Sequence, residues 1–178
     1  MELIPVNSHP GIFWCVKYMT TETEFKFNTA KAWNGAEFCT LANNSGFTTL
    51  GNNKVEKDGL YVVLVDFVHS AVAVESATLY GIGNCFDSSW TSDDERFKFT
   101  TEGSKASVTT VNAGELRMYA KMPAVSGLGA GDWWKSEFIF FADGKINYRG
   151  NGPDQERFNV DAGKTITLDF SNDTAEVK

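Results

Sequence analysis

Nowhere in this chain does an apolar period of about 3.6 residues persist over eleven or more positions, so no helix longer than a turn or two is expected. Short alternating, β-branched and aromatic runs recur instead about every 8–12 residues, closed by Gly, Pro, Asn or Asp. That spacing marks strands joined by tight turns. The clearest runs are Gly11–Met19, Glu24–Phe27, Leu60–Phe67, Ala71–Glu75, Thr78–Asn84, Gly114–Met122 and Lys164–Phe170. Shorter β-type runs cover Gly51–Glu56, Arg96–Thr100, Ser107–Val111 and Arg157–Val160, and Asp173–Lys178 closes the chain as a last strand. Leu60–Phe67 is the most apolar and reads as a central strand, whereas Lys31–Phe47 reads as a long irregular loop. The chain is therefore expected to be all-β.

With 178 residues there is room for one large β domain or two small ones. An internal repeat decides for two. Gly11–Met19 and Gly114–Met122 have the same length, and each begins with Gly and ends with Met. Glu24-Phe-Lys-Phe27 answers Glu137-Phe-Ile-Phe140, and Val55–Phe67, ending Val-Asp-Phe, answers Val160–Phe170, ending Leu-Asp-Phe. Three matches in the same order read as a tandem duplication. The expected organisation is two tandem immunoglobulin-like β-sandwich modules, residues 1–76 and 77–178. The second copy opens with Thr78–Asn84 and Trp90, which nothing before Met1 answers, so the first copy looks cut at its N-terminus. Either Met1–Val6 substitute for the lost strand, or the natural protein begins upstream.

Several function classes fall away. A net charge of −7 without a basic stripe excludes nucleic acid and a polybasic membrane patch. Three cysteines with no CxxC give neither a disulfide framework nor a zinc ribbon. Cys15, inside an apolar run, reads as a small buried hydrophobe, with a Cys15–Cys39 bridge as the alternative. The two histidines, His9 and His69, both beside turns, cannot assemble a triad or a His-rich metal site. The acidic run Asp93-Asp94-Glu95 lacks the alternating spacing of a calcium loop and reads as a solvated turn. Gly81-Ile-Gly83 lacks the third glycine of a phosphate loop. No catalysis, metal or cofactor is expected. No apolar run approaches the ~20 residues of a membrane span, and the opening Met-Glu-Leu-Ile-Pro-Val has no charged leader. The chain is then either cytoplasmic or a trimmed piece of a secreted precursor.

What remains is a surplus of aromatics, with fourteen Phe and five Trp, more than a core needs. Sugar rings present apolar CH faces and adjacent hydroxyls, so a sugar-binding surface needs flat exposed aromatics beside planar polar side chains. The stretch Lys135–Val160 has that character: a strand with Phe138 and Phe140 on one face, a turn at Asp143-Gly144, a second short strand, then a loop rich in hydrogen-bonding side chains. Trp33 and Trp90 lie in polar loops, each as platform or core cap; Trp133 and Trp134 enter a strand, so one should pack inward and the other remain available. Trp14 lies inside a strand, either buried between layers or part of an exposed patch. Tyr148, Arg149 and Asn151 are candidates to engage hydroxyls. The alternative is a structural loop in which Arg149 or Arg157 pairs with Asp154 or Glu156. The face is expected where the Lys145–Gln155 loop meets the loops carrying Trp90 and Trp133-Trp134.

Leu79-Tyr-Gly-Ile-Gly-Asn84 followed by a Trp, Glu-Phe-Lys-Phe, and Gly144-Lys-Ile-Asn-Tyr-Arg-Gly-Asn-Gly-Pro-Asp-Gln-Glu-Arg157 together resemble the SusE/SusF-type proteins, from about Ile12 to Phe170. The resemblance implies tandem starch-binding-type β-sandwich modules of a lipid-anchored outer-membrane protein. It implies non-catalytic capture of a polysaccharide or oligosaccharide at the cell surface by a monomer, beside other outer-membrane glycan-uptake proteins. The chain departs from the family in lacking the lipobox cysteine and stalk, and in having Lys145-Ile146 where a Trp is usual. The competing reading is a non-binding spacer module.

Overall fold

A computed structural model describes residues 2–27, 42–43, 53–69 and 71–178. The described residues are mostly strand, arranged in three sheets with a few short 3-10 turns. No helix among them is long and apolar enough to cross a membrane. The first sheet joins β1 (Ile4–Pro5), β2 (Ile12–Met19), β4 (Gly59–Asp66), β5 (Ala71–Ser76) and β3 (Ala42–Asn43), in the order β1-β2-β4-β5-β3. The second is built on β9 (Gly114–Ala120). Along one side of β9 runs β6 (Leu79–Ile82); the other side carries β10 (Glu137–Phe140) and then β12 (Phe158–Val160), with β11 (Ile146–Tyr148) beyond β10. The third sheet has the order β14-β13-β8-β7, from Thr174–Val177, Thr165–Asp169, Lys105–Thr109 and Thr100–Glu102.

Alternation along each strand sorts its side chains between two faces. On β9, Leu116, Met118 and Ala120 enter the core while Glu115, Arg117 and Tyr119 project to the other side. On β2, Trp14 and Val16 face one way, and Cys15 and Met19 the other. One buried cluster then joins Trp14, Val16, Leu60, Val62 and Leu64 of the first sheet to Leu116, Met118, Phe138, Ile166 and Leu168 of the other two. It crosses Ser76 without a break. Cys15 sits in the separate cluster on the far face, where burial pushes its thiol up to about 12. Cys39 lies outside the described residues.

The ladders show a repeated unit and correct its reading. β4 meets β5 with Asp66 opposite Ala71, as β13 meets β14 with Asp169 opposite Thr174, so Val-Asp-Phe and Leu-Asp-Phe end equivalent strands. β2 lies on β4 with Ile12 opposite Asp66, as β8 lies on β13 with Lys105 opposite Asp169. β1 lies on β2 with Pro5 opposite Phe13, as β7 lies on β8 with Thr101 opposite Ala106. The counterpart of Gly11–Met19 is therefore β8. Gly114–Met122, which matches it in length and end residues, forms β9 in a different sheet. Strands share composition, so that match carried no register. Ile4 and Pro5 lie at a sheet edge beside Trp14 and Phe13, in the position that β7 holds beside β8.

Three further runs differ from expectation in what the described residues show. Among the described residues, Glu24–Phe27 meets the 53–56 part of the Gly51–Glu56 run through an isolated bridge, Phe25 to Asn53; Gly51 and Asn52 lie outside the described residues. Arg96–Thr100 opens inside a 3-10 turn, Glu95–Phe97, because Asp94 caps it by accepting from the Arg96 N–H.

Candidate functional site

The outer face of the β6–β9–β10 sheet carries the aromatic and charged side chains that the strand pattern sends away from the core. Tyr80, Ile82 and Tyr119 form a small cluster there, capped by Trp90 and Trp133. The Tyr80 and Tyr119 rings stack at 5.6 Å, and their hydroxyls donate to Glu95 and Asp93. Burial, then these carboxylates, push both phenols well above the ordinary tyrosine value. They act as fixed hydrogen-bond groups under the two indoles.

Beside the cluster lies an open groove of about 460 Å³, lined by Trp90, Trp133, Trp134, Arg149, Glu115, Arg117, Asp154 and Arg157. Four sequence candidates thus converge on one depression. Trp90 and Trp133 have ring centres 6.0 Å apart and planes tilted by 45°. Trp134 lies under the Arg149 guanidinium, 5.1 Å from its ring centre, with Lys135 Nζ at 5.3 Å. The pair Trp133-Trp134 is not in a strand. It belongs to a 3-10 turn, Ala130–Ser136, whose first turn is capped by Asp132 accepting from the Gly129 N–H at 3.0 Å. At about three residues per turn, neighbouring side chains diverge by roughly 120° and not 180°. Both indoles can therefore line the same groove, with Trp133 also packed on the Tyr119 ring at 6.1 Å.

Trp90 has φ 53, in the left-handed region that a bulky side chain avoids. Such a conformation costs on the order of 1–3 kcal/mol and persists only where its surroundings impose it. Here Arg96 spans the loop, donating to Asp87 at 2.7 Å and Asp94 at 2.6 Å, while the indole N–H donates to Asn84. These bonds hold the Asp87 and Asp94 carboxyls below the ordinary range: for Asp87 the Ser89 backbone leads and Arg96 follows, and for Asp94 Arg96 leads. The acidic run expected to be a solvated turn is a brace for this loop, with Asp93 also accepting from Lys121 at 2.8 Å. Among the described residues no cluster could hold a metal ion.

Sequence reasoning missed the charged floor. Arg117 and Glu137 are both buried, with Arg117 donating to Glu137 at 2.7 Å, Glu115 at 2.8 Å, Asp154 at 3.1 Å and the Gln155 carbonyl at 3.1 Å. Arg149 donates to the other Glu137 oxygen at 2.9 Å. Burial opposes the Arg117 charge, yet its bonds to Glu137 and Glu115 hold its pKa above the usual value. Burial also pushes the Glu137 carboxyl up, against the pull of both guanidiniums. The signal was present as a charge bracketed by Leu116 and Met118, which demands a partner when the strand is buried.

The remaining candidates fall elsewhere. Tyr148 faces the core: its ring packs edge-on against Trp14 at 5.4 Å and against Phe138 at 5.9 Å. Tyr148 and Arg149 are consecutive, so alternation sends one inward and the other to the groove. Of the two, Arg149 lines the groove and Tyr148 does not. Asn151 is exposed and does not line the groove. Trp33 lies outside the described residues. Of the ion pairs offered as a bland alternative, Arg149 to Asp154 is present at 3.4 Å, and Arg157 approaches Glu115 at 3.6 Å instead of Asp154 or Glu156.

The N-terminal segment holds the two groove loops in place. The buried Asn7 side chain donates to the carbonyls of Gly150 (2.6 Å) and Gly152 (3.0 Å), and its backbone N–H donates to the Lys135 carbonyl at 3.2 Å. Removing the amide leaves two carbonyls unpaired, at about 1 kcal/mol each. Asn7→Ala should therefore lower the melting temperature and weaken ligand binding at the groove together. Thermal melts and titrations on that variant check this, and unchanged binding would show that the loops hold themselves.

A family model described as SusF/SusE starch-specific CBMs matches residues 1–75 and 78–176. The outer membrane protein SusF of Bacteroides thetaiotaomicron is 32% identical over 190 residues, an alignment that covers 99% of this chain and 38% of that protein. The crystal structure of SusF from the same organism superposes with a TM-score of 0.80 at 28% identity, over 99% of this chain and 42% of that one. The chain thus spans well under half the length of these relatives. The likeness supports the all-β, tandem-sandwich fold.

Proposed function

We propose, from the premise that this chain belongs to the SusF/SusE family of starch-specific carbohydrate-binding modules, that its tryptophan groove binds an α-1,4-linked glucan without catalysis. The observation that carries the reading is the convergence of Trp90, Trp133, Trp134 and Arg149 on one open groove. Successive glucose units of an α-1,4 chain turn relative to one another, whereas a β-1,4 chain is flat. Two platforms tilted by 45° suit the turning chain. Arg149, Arg157, Asp154 and Glu115, which line the groove beside the indoles, supply planar groups for paired hydroxyls. The boundary near Ser76 is part of the same proposal: residues 1–76 and 77–178 are two modules that share a buried interface. The relative's name places that protein in the outer membrane, and we assign this chain to the same surface.

By analogy with stacking on nucleic-acid bases, a lost platform ring costs about 1–3 kcal/mol, or roughly ten- to a hundredfold in affinity. Trp134→Ala should lose starch affinity to that extent and keep its melting temperature, whereas Trp90→Ala should lose affinity and also melt lower, because its indole caps the Tyr80–Tyr119 cluster. Affinity electrophoresis in starch gels, with titration of maltoheptaose, measures it. A wild-type chain whose mobility is unchanged in starch and in other polysaccharides would be the spacer instead.

A further inference from the structure

Three depressions share walls. Trp133 lines both the groove and a small pit of about 40 Å³ beside it, with Tyr119, Asp93, Asp132 and Ser136. Lys121, Met122 and Leu128 line both this pit and a cleft of about 340 Å³, whose other walls are Val62, Glu75, Ser76, Thr78, Pro123 and Ala124. The cleft lies where the first sheet meets the second half of the chain. We infer that this cleft is a further glycan subsite, so that a long α-glucan runs along one track from Trp134, past Trp133, to Glu75. The inference rests on the groove being the primary site.

The chemistry of the cleft is that of a sugar-binding surface in miniature. Val62, Met122, Pro123 and Leu128 offer apolar contact for CH faces, and Ser76, Thr78, Lys121 and Glu75 offer polar groups for hydroxyls. Glu75 is half-buried and pairs with none of the described residues. A half-desolvated carboxylate without a donor is unfavourable, and two adjacent sugar hydroxyls would supply what it lacks. Burial alone raises its pKa, in keeping with that missing partner. Lys121 gives one bond to Asp93 and, with three donors, has two to spare. The pit can hold a water or a hydroxymethyl group between the two larger depressions, since a single water needs only about 10–15 Å³.

Chain length separates the track from the groove. A trisaccharide fills the groove, whereas a heptasaccharide reaches the cleft. Titration of maltotriose and maltoheptaose into the wild-type chain, Glu75→Ala and Thr78→Val is the test, with melts to confirm folding. The wild type should bind maltoheptaose about tenfold more tightly than maltotriose. Both variants should lose that gain and bind maltotriose as the wild type does. A wild-type affinity that stays flat between the two lengths overturns the track, as does a Glu75→Ala chain that keeps the full gain; both leave the groove standing. Absence of maltotriose binding, or maltotriose binding indifferent to Trp134→Ala, strikes the groove reading itself and removes the track with it.

Discussion

Arg117→Ala should destabilise the chain by about 3–5 kcal/mol, the loss typical when one partner of a buried ion pair is removed. For a chain of this size that is a fall of roughly 6–20 °C in melting temperature. The residue is 3% exposed and its side chain holds two carboxylates on its own face, Glu115 and Glu137, plus the Gln155 carbonyl of the groove loop. With alanine there, Arg149 remains the sole guanidinium on Glu137. The penalty belongs to the charged carboxylate. Burial already holds the folded pKa of Glu137 above its ordinary value, and loss of Arg117 raises it further. Protonation therefore relieves the variant as pH falls from neutrality toward the ordinary carboxylate range, so its deficit against the wild type should shrink in that window. Denaturant titrations at two pH values measure both effects. Arg117→Lys should recover only part, because an ammonium cannot fork between Glu115 and Glu137 as a guanidinium does. A variant as stable as the wild type would mean that Glu137 is neutral or adequately held by Arg149.

The strands were legible in the sequence because their apolar alternation is local. Glu137-Phe-Ile-Phe140 puts Phe138 and Phe140 inward without any knowledge of partners. Tyr148 obeys the same rule, but its polar loop neighbours mask it: its register opposite Phe138 decides its face. The Trp133-Trp134 turn was hidden for another reason. A run of glycines and alanines before it suits a loop, and only the Asp132 cap distinguishes a 3-10 start. Arg117 and Glu137 are 20 residues apart, and nothing local in either strand points to the other. The repeat is the mixed case. Asp66 and Asp169 mark equivalent strand ends and were aligned by sequence, but β2 and β8 share a position in the ladder without sharing a pattern. Composition reports what a strand is made of; its neighbours report where it lies.

The same distinction gives Trp14 its weight. Its strand allowed either a buried indole or an exposed patch, and the structure buries it completely, with its ring edge on Tyr148 across the junction near Ser76. Trp14→Ala should cost about 3–5 kcal/mol through the cavity left in the shared core. Because one apolar cluster joins the sheets on both sides of that junction, unfolding should stay a single transition at lower denaturant. The loss should also reach the groove. Tyr148 would lose the ring that fixes it, and the next residue, Arg149, is the one that lies over Trp134. A weaker glucan affinity in a variant that is still folded at the assay temperature is the expected companion. Trp14→Phe separates volume from polarity, since the indole N–H is buried with no hydrogen-bond partner among the described residues. Phenylalanine gives up part of the packing and also removes an unpaired donor worth about 1–3 kcal/mol, so it should recover most of what alanine loses. Two transitions in the melt of Trp14→Ala, with the second at the wild-type midpoint, would show that the halves hold themselves up separately and that the shared core couples them little.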